Sequence, residues 1–338
     1  MPRGSLECAN FYPKNAMEYT LVGNPQITFF KSVFKRHTPF ELTYTEHEFD
    51  NNPSSTPSDT IISVELTPPG KCPNNHLIKS LALKITLPDI LYDVKNYPNL
   101  RVRWIEDVGT AFVKHARFLV GTGTEIENLT GRWMYLYNHY FATDEERAAY
   151  RRTAGYSFEE QGGVRKIFVG GKTKYYIPGK QLRVHLPFWF SRSSGNYFPL
   201  DREKLKIRVR LKYRPFKELL QVRNAGRSGE WMSISTYGND VGVHNLLQNN
   251  KPTVKLSCTY ITLYPGDLQR VKNNNTYISS FVTILGSKDD TNRNFVRSNT
   301  SKDFSFNHLN LPTRELFWMA QTNDAQERND WFRFTNPV

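Results

Sequence analysis

The run KLKIRVRLKY at Lys204–Tyr213 alternates apolar and cationic side chains without interruption. Successive side chains of a β-strand point to opposite faces, so Leu205, Ile207, Val209, Leu211 and Tyr213 turn toward a core. Lys204, Lys206, Arg208, Arg210 and Lys212 then form the other face, which is entirely cationic. A helix would scatter both sets around its circumference. The stretch is a half-buried strand, and it sets the expectation for its neighbours.

Working outward, the same period of two recurs in short runs divided by Pro, Gly, Asn and Asp. Leu81, Leu83, Ile85 and Leu87 alternate with Ala82, Lys84 and Thr86 until Pro88-Asp89 stops the strand. Phe112, Lys114, Ala116, Phe118 and Val120 make another run, which ends in a Gly121-Thr122-Gly123 turn. Further strands are expected at 254–264, 277–285 and 314–321, the last with Leu316, Phe317, Trp318 and Met319 in a row, as in a strand buried on both faces.

Helical signals are few. Trp133, Leu136, Tyr137 and Tyr140 fall at the spacing of one helix face. The segment from Thr143 to Arg152 opens with a capping box between Thr143 and Glu146 and meets Gly155 just past its last turn, so a solvent-exposed helix is expected there. The fold class is therefore all-β, a β-sandwich with a few short inserted helices.

The 338 residues suffice for two domains. Residues 216–252 are rich in Gly, Ser and Asn and are the expected linker between them. Forty-five Lys and Arg against 32 Asp and Glu give a net charge of +13, which favours an anionic partner of some kind: nucleic acid, a membrane face or an acidic protein. Cys8, Cys72 and Cys258 are odd in number and far apart, which fits reduced thiols and no zinc site. The N-terminus lacks a signal-like apolar core and no stretch of about 18 apolar residues occurs, so a soluble, unsecreted product is expected. On that expectation the sequons at Asn128, Asn274 and Asn299 stay unmodified.

Chemistry-bearing constellations are not found. The eight histidines are scattered, with His37 and His47 nearest to one another, and no nucleophile stands beside a base. Neither a cofactor nor a metal is expected. GTGTE at Gly121–Glu125 lacks the lysine of a phosphate-binding loop and reads as a hairpin turn. The acid pairs Glu145-Glu146 and Glu159-Glu160 read as solvated surface. The cationic strand face is either solvated, set against a neighbouring subunit, or a grip for a polyanion; no recognisable nucleic-acid module accompanies it, so sequence-specific nucleic-acid binding is not expected.

In TFFKSVFKR at Thr28–Arg36, Phe29, Phe30, Val33 and Phe34 cluster on one side of a short helix with Lys31, Lys35 and Arg36 on the other. Either this element docks onto another surface or it packs its aromatics under its own sandwich. The longer stretch VGNPQITFFKSVFKRHTPF at Val22–Phe40 closely resembles the N-terminal motif of the major capsid proteins of nucleocytoplasmic large DNA viruses, among them iridoviruses, phycodnaviruses and marseilleviruses. GRWMYLYN at Gly131–Asn138, LPFWFSR at Leu186–Arg192 with Phe198-Pro199-Leu200, and RELFWMA at Arg314–Ala320 are similar to later family segments in the same order.

The resemblance implies a double jelly roll whose subunits form trimeric, pseudo-hexagonal capsomers of an icosahedral shell, with no enzymatic activity. It implies an N-terminal arm over 1–37 with a short amphipathic helix, a first jelly roll over 38–215, the linker, and a second jelly roll over 253–338. Family members continue past the RELFW strand, so the second sandwich is expected to be incomplete and to need a partner: either a separate chain completes it, or the chain is a shortened paralogue acting as a minor or vertex component, or the sequence is a partial product. The arm, through Asn24, Pro25, Gln26, Phe29, Phe30, Lys31, Phe34, Lys35, Arg36 and His37, would meet copies of the chain, sister or minor capsid proteins, or an inner viral membrane. The implied location is the virion capsid, assembled in the host cytoplasm. A sandwich that binds glycan or polyanion is the alternative from another class.

Overall fold

The computed structural model describes residues 40–50, 61–66, 76–93, 99–155, 165–192, 197–200, 206–224, 230–233, 252–273, 317, 321 and 324–334. In chain order the strands are β1 (Phe40–Glu48), β2 (Ile61–Leu66), β3 (Leu77–Thr86), β4 (Ile90–Asp93) and β5 (Leu100–Trp104), then the short helix α1 (Val108–Phe112). After β6 (Val113–Val120) and β7 (Thr124–Thr130) come helices α2 (Gly131–Tyr140) and α3 (Asp144–Ala154). The chain continues through β8 (Arg165–Val169), β9 (Lys172–Ile177), β10 (Gln181–Leu186), β11 (Phe198–Pro199), β12 (Ile207–Tyr213), β13 (Leu220–Asn224), β14 (Trp231–Ser233) and β15 (Thr253–Leu263), followed by helices α4 (Pro265–Asn273) and α5 (Asp324–Glu327).

Two sheets carry the architecture. One has the order β1-β15-β3-β10, with β11 added to β3, and the other the order β2-β12-β6-β7. Taking those long strands in chain order as one to eight, the first sheet reads 1-8-3-6 and the second 2-7-4-5. That interleaving, with every pairing among the described strands antiparallel, is the double Greek key of a jelly roll. The inner faces supply a continuous core: Leu81, Leu83, Ile85, Val184, Leu256 and Cys258 from one sheet, and Ile62, Val64, Ala116, Phe118, Val209 and Leu211 from the other, all buried. The alternation seen in the sequence is the cause, because it places one apolar row per strand on the side that faces the opposite sheet.

Strand β15 corrects the expected domain boundary. Residues from 253 were expected to open a second sandwich, yet Thr253–Leu263 lies between β1 and β3 and pairs with both, from Phe40↔Leu263 to Glu48↔Lys255 on one side and from Thr253↔Thr86 to Ile261↔Leu77 on the other. It closes the first sandwich, because a middle position in that sheet is filled only by a strand that returns from far along the chain. Part of the expected linker is also ordered structure. A 3-10 turn at Phe216–Leu219 leads into β13, which pairs with β5 and β14 in a separate small sheet, and Leu219, Leu220 and Val222 are buried. The polar bias of 216–252 comes from its later residues and masked this apolar beginning. The strands expected at 277–285 and 314–321 fall outside the described residues, apart from Phe317 and Gln321.

The expected helices form, with one face reassigned. The capping box of α3 is complete, Thr143 and Glu146 each accepting from the other's backbone N–H, and Gly155 ends the helix at φ 76°. Helix α2 buries Gly131, Met134 and Leu136, whereas Tyr140, expected on the same face as Leu136, is 70% exposed. Gly131 explains the choice of face. A Cβ there would stand 2.3 Å from the carbonyl oxygen of Val113 and 2.7 Å from that of Thr110, so only glycine lets the helix start this close to β6. The Gly121-Thr122-Gly123 turn joins β6 to β7 as a hairpin, with φ of 68° and 129° at its two glycines.

Candidate functional site

The candidate arm residues, Asn24, Pro25, Gln26, Phe29, Phe30, Lys31, Phe34, Lys35, Arg36 and His37, lie outside the described residues, as does Lys204. Of the cationic strand face, Lys206 precedes β12 and is exposed, while Arg208, Arg210 and Lys212 alternate along β12 and are half-buried. The structure brings these three together, but not as an unbroken positive strip. Arg208 pairs with Glu65 of β2 at 3.2 Å, and on β6 Arg117, which stands in register with Arg210, pairs with Glu125 of β7 at 3.6 Å. The outer face of this sheet is a mixed-charge surface.

Sequence reasoning missed a more pronounced surface on the other sheet. Along β1, Phe40, Leu42 and Tyr44 point outward at 57%, 44% and 66% exposure, while Thr43, Thr45 and His47 point inward and are half-buried. His47 is hydrogen-bonded to the Tyr260 hydroxyl at 2.7 Å, and burial holds its imidazole below the usual histidine range. The outward row ends in charge, with Glu46 paired to Lys84 at 2.7 Å and Glu48 to Lys255 at 3.0 Å. Among the described residues β1 is hydrogen-bonded on its β15 side alone, so it offers both an apolar row and an open strand edge. The signal was present in FELTYTEHE at Phe40–Glu48, whose period of two is plain but does not say which set faces in.

Behind these surfaces the segment LPFWFSR at Leu186–Arg192 locks the sandwich corner. Phe118 from β6 sits 5.5 Å from Phe188 and 5.2 Å from each of Trp189, Phe190 and Phe198 between ring centroids, so five aromatic rings close the end of the core. Glu127 of β7, 2% exposed, accepts from the backbone N–H of Trp189 at 2.9 Å and forms an ion pair with Arg192. Near α1, the buried Asp107 accepts from the Thr110 hydroxyl at 2.7 Å, and Thr110 in turn bonds Tyr150 of α3. Burial pushes the Asp107 carboxyl up to about 7.

The end of the described chain folds back onto the same body. Asn329 donates to the carbonyls of Lys217 and Leu220 at 3.0 and 2.8 Å, Trp331 Nε1 donates to that of Glu218 at 2.9 Å, and Phe332 stacks on Tyr135 of α2 at 4.5 Å. Phe317 packs against Trp133 at 5.3 Å. Among the described residues no group of three or more His, Cys, Asp and Glu side chains gathers as metal ligands, and no helix is long and apolar enough to cross a membrane.

The sequence model of the family described as "Major capsid protein N-terminus" matches residues 28–263, which takes in every strand from β1 to the last residue of β15. The chain belongs to the major capsid protein family. Among its relatives, the major capsid protein of Phaeocystis pouchetii virus is 24% identical over 323 residues, covering 90% of this chain and 56% of that protein. Capsid protein 1 of Acanthamoeba polyphaga mimivirus is 24% identical over 317 residues, covering 92% of this chain and 48% of the relative. The chain spans about half the length of the curated relatives it matches. Among solved structures, the Faustovirus major capsid protein aligns with 79% of this chain and 62% of its own, at 9% identity and a TM-score of 0.47. The family match thus ends at Leu263, where the capsid-family jelly roll of this chain closes.

Proposed function

We propose that this chain is a non-enzymatic structural protein of the capsid of a large DNA virus, and that its jelly roll is a wall unit which leans on copies of itself. The observation that carries the proposal is the coincidence of the family match, 28–263, with the complete eight-strand sandwich that runs from Phe40 to Leu263. The outward row Phe40, Leu42 and Tyr44, on a strand paired on one side alone among the described residues, supports self-association, since an exposed apolar row gains by being covered.

In this proposal the copies form trimers with a pseudo-hexagonal outline, assembled in the host cytoplasm into an icosahedral shell, and weak contacts repeated by symmetry become strong together. The amphipathic arm, with Phe29, Phe30 and Phe34 opposed to Lys31, Lys35 and Arg36, reaches minor capsid proteins or an inner membrane. Light scattering on the purified chain is expected to give trimers or larger assemblies, and a monomer at every concentration overturns the proposal. Phe30→Asp combined with Phe34→Asp is expected to block incorporation into particles while leaving the melting temperature unchanged. Particles that incorporate this variant normally remove the arm from the account.

A further inference from the structure

The hairpin β8–β9 belongs to a separate three-stranded sheet with β4 and carries an unusual combination of side chains. From 165 to 177 it holds Arg165, Lys166, Lys172 and Lys174 and neither Asp nor Glu. Arg165, Lys166 and Lys172 are exposed. Its apex is apolar, with Phe168 at 75% exposure and Val169 at 43%. Phe168 is the most exposed of the large hydrophobic residues among those described.

The apex is displayed rigidly. Gly170 and Gly171 take φ of 59° and 74°, the two-residue turn whose twist matches paired strands, and the ladder holds from Arg165↔Tyr176 to Val169↔Lys172. On its other side β9 pairs with β4 from Ile90↔Ile177 to Asp93↔Lys174, which anchors the base of the hairpin. The base is fixed: buried Tyr175 packs on Tyr92 at 5.0 Å, the Arg101 guanidinium lies 4.4 Å over the Tyr175 ring, and Asp89 accepts from Tyr176 and from the Gly179 N–H. Little conformational freedom is left to lose on binding, which favours a contact made by the tip as it stands.

We infer that hairpin β8–β9 docks onto an anionic lipid surface, Phe168 and Val169 entering the boundary between headgroups and acyl chains while Arg165, Lys166 and Lys172 meet the anionic headgroups. Both halves of the tip have work in this arrangement, since aromatic side chains favour the membrane interface and each cation near an anionic leaflet strengthens binding. A soluble polyanion would use the cations and leave the apolar apex in water. The inference does not rest on the shell proposal, because it is argued from the tip of the single chain and tested on the free chain.

The test is co-sedimentation of the full chain with vesicles of phosphatidylcholine alone and of phosphatidylcholine with phosphatidylserine. The wild-type chain is expected to bind the phosphatidylserine vesicles and to bind the neutral ones far less. Lys166→Gln and Lys172→Gln are each expected to weaken binding about fivefold. Phe168→Ser is expected to weaken it at least as much, with the thermal melt of all three unchanged because none of these side chains is in the core. In a chain carrying Phe168→Trp, brominated lipid should quench fluorescence beyond the level seen with the wild type. Failure of the wild type to bind the phosphatidylserine vesicles overturns the inference. So does a Phe168→Ser chain that binds them as the wild type does, which would assign the contact to charge alone or to another segment, or heparin retention without vesicle binding, which would make the partner a soluble polyanion.

Discussion

Strands β1 and β12 read alike in the sequence and are used in opposite ways. In β12 the apolar set, Ile207, Val209, Leu211 and Tyr213, is buried, and the cations face out between two neighbouring strands. In β1 the apolar set, Phe40, Leu42 and Tyr44, faces out from the end of a sheet, and Thr43, Thr45 and His47 face in. A period of two establishes that a strand has two kinds of face. Its partners decide which kind is covered, and for β1 the register with β15 sends the greasy side to the surface.

The contrast is broken most violently by a charge at the inward centre of β12. Val209→Asp is expected to destabilise the chain by about 4 kcal/mol or more, because it buries an unpaired carboxylate between two sheets. Denaturant titration with near-native stability for this variant would mean that the sandwich core is elsewhere. Next in size come two ion pairs, one per sheet. Glu127→Ala removes the buried carboxylate that Arg192 pairs with and is expected to cost about 3–5 kcal/mol, whereas Glu46→Ala removes an exposed, solvent-screened pair with Lys84 and should cost far less. Equal losses in the two variants would erase the distinction between the corner and the edge.

A smaller effect separates the strands by pH. The folded-state pKa of His47 lies below its unfolded value, so its contribution is present above the ordinary histidine range and is lost as pH falls from there through the depressed folded value. The inward residues of β12 up to Leu211 do not titrate. Melting temperature should therefore decline between about pH 6.5 and lower values, and His47→Gln should flatten that part of the profile. An unchanged slope in this variant would move the acid sensitivity to another group. Smallest in stability is Leu42→Asp with Tyr44→Asp, expected to shift stability by no more than about 0.5 kcal/mol at these exposed positions while abolishing self-assembly in light scattering. A double variant that still assembles would take β1 out of the subunit contact.

Much of the local structure was legible from residue order. The alternation over Ile207–Tyr213, the Pro88-Asp89 stop, the Gly121 turn and the Thr143 capping box each depend on neighbours a few residues away, and each is found in place. What could not be read depends on distance along the chain. Nothing in 253–263 says that it will sit between 40–48 and 77–86, and nothing in Glu127 announces Arg192, 65 residues later. The resemblance in LPFWFSR located an important segment without its reason, which is the ring cluster around Phe118 and the N–H of Trp189 held by Glu127. Of the candidate site residues, those on β12 proved to share their face with acids, and the exposed row on β1 escaped notice because its apolar residues occupy the side usually given to polar ones.

The central place of β15 has a consequence for biosynthesis. As the polypeptide leaves the ribosome, Phe40–Glu48 emerges early, yet the strand that will hydrogen-bond it is translated some two hundred residues later. Until then β1 and β3 flank an empty slot, with hydrophobic side chains and unsatisfied amides open to any passing strand. Folding of the nascent chain must wait for Thr253–Leu263 to slide home like a keystone, which makes the growing polypeptide a natural client for chaperones.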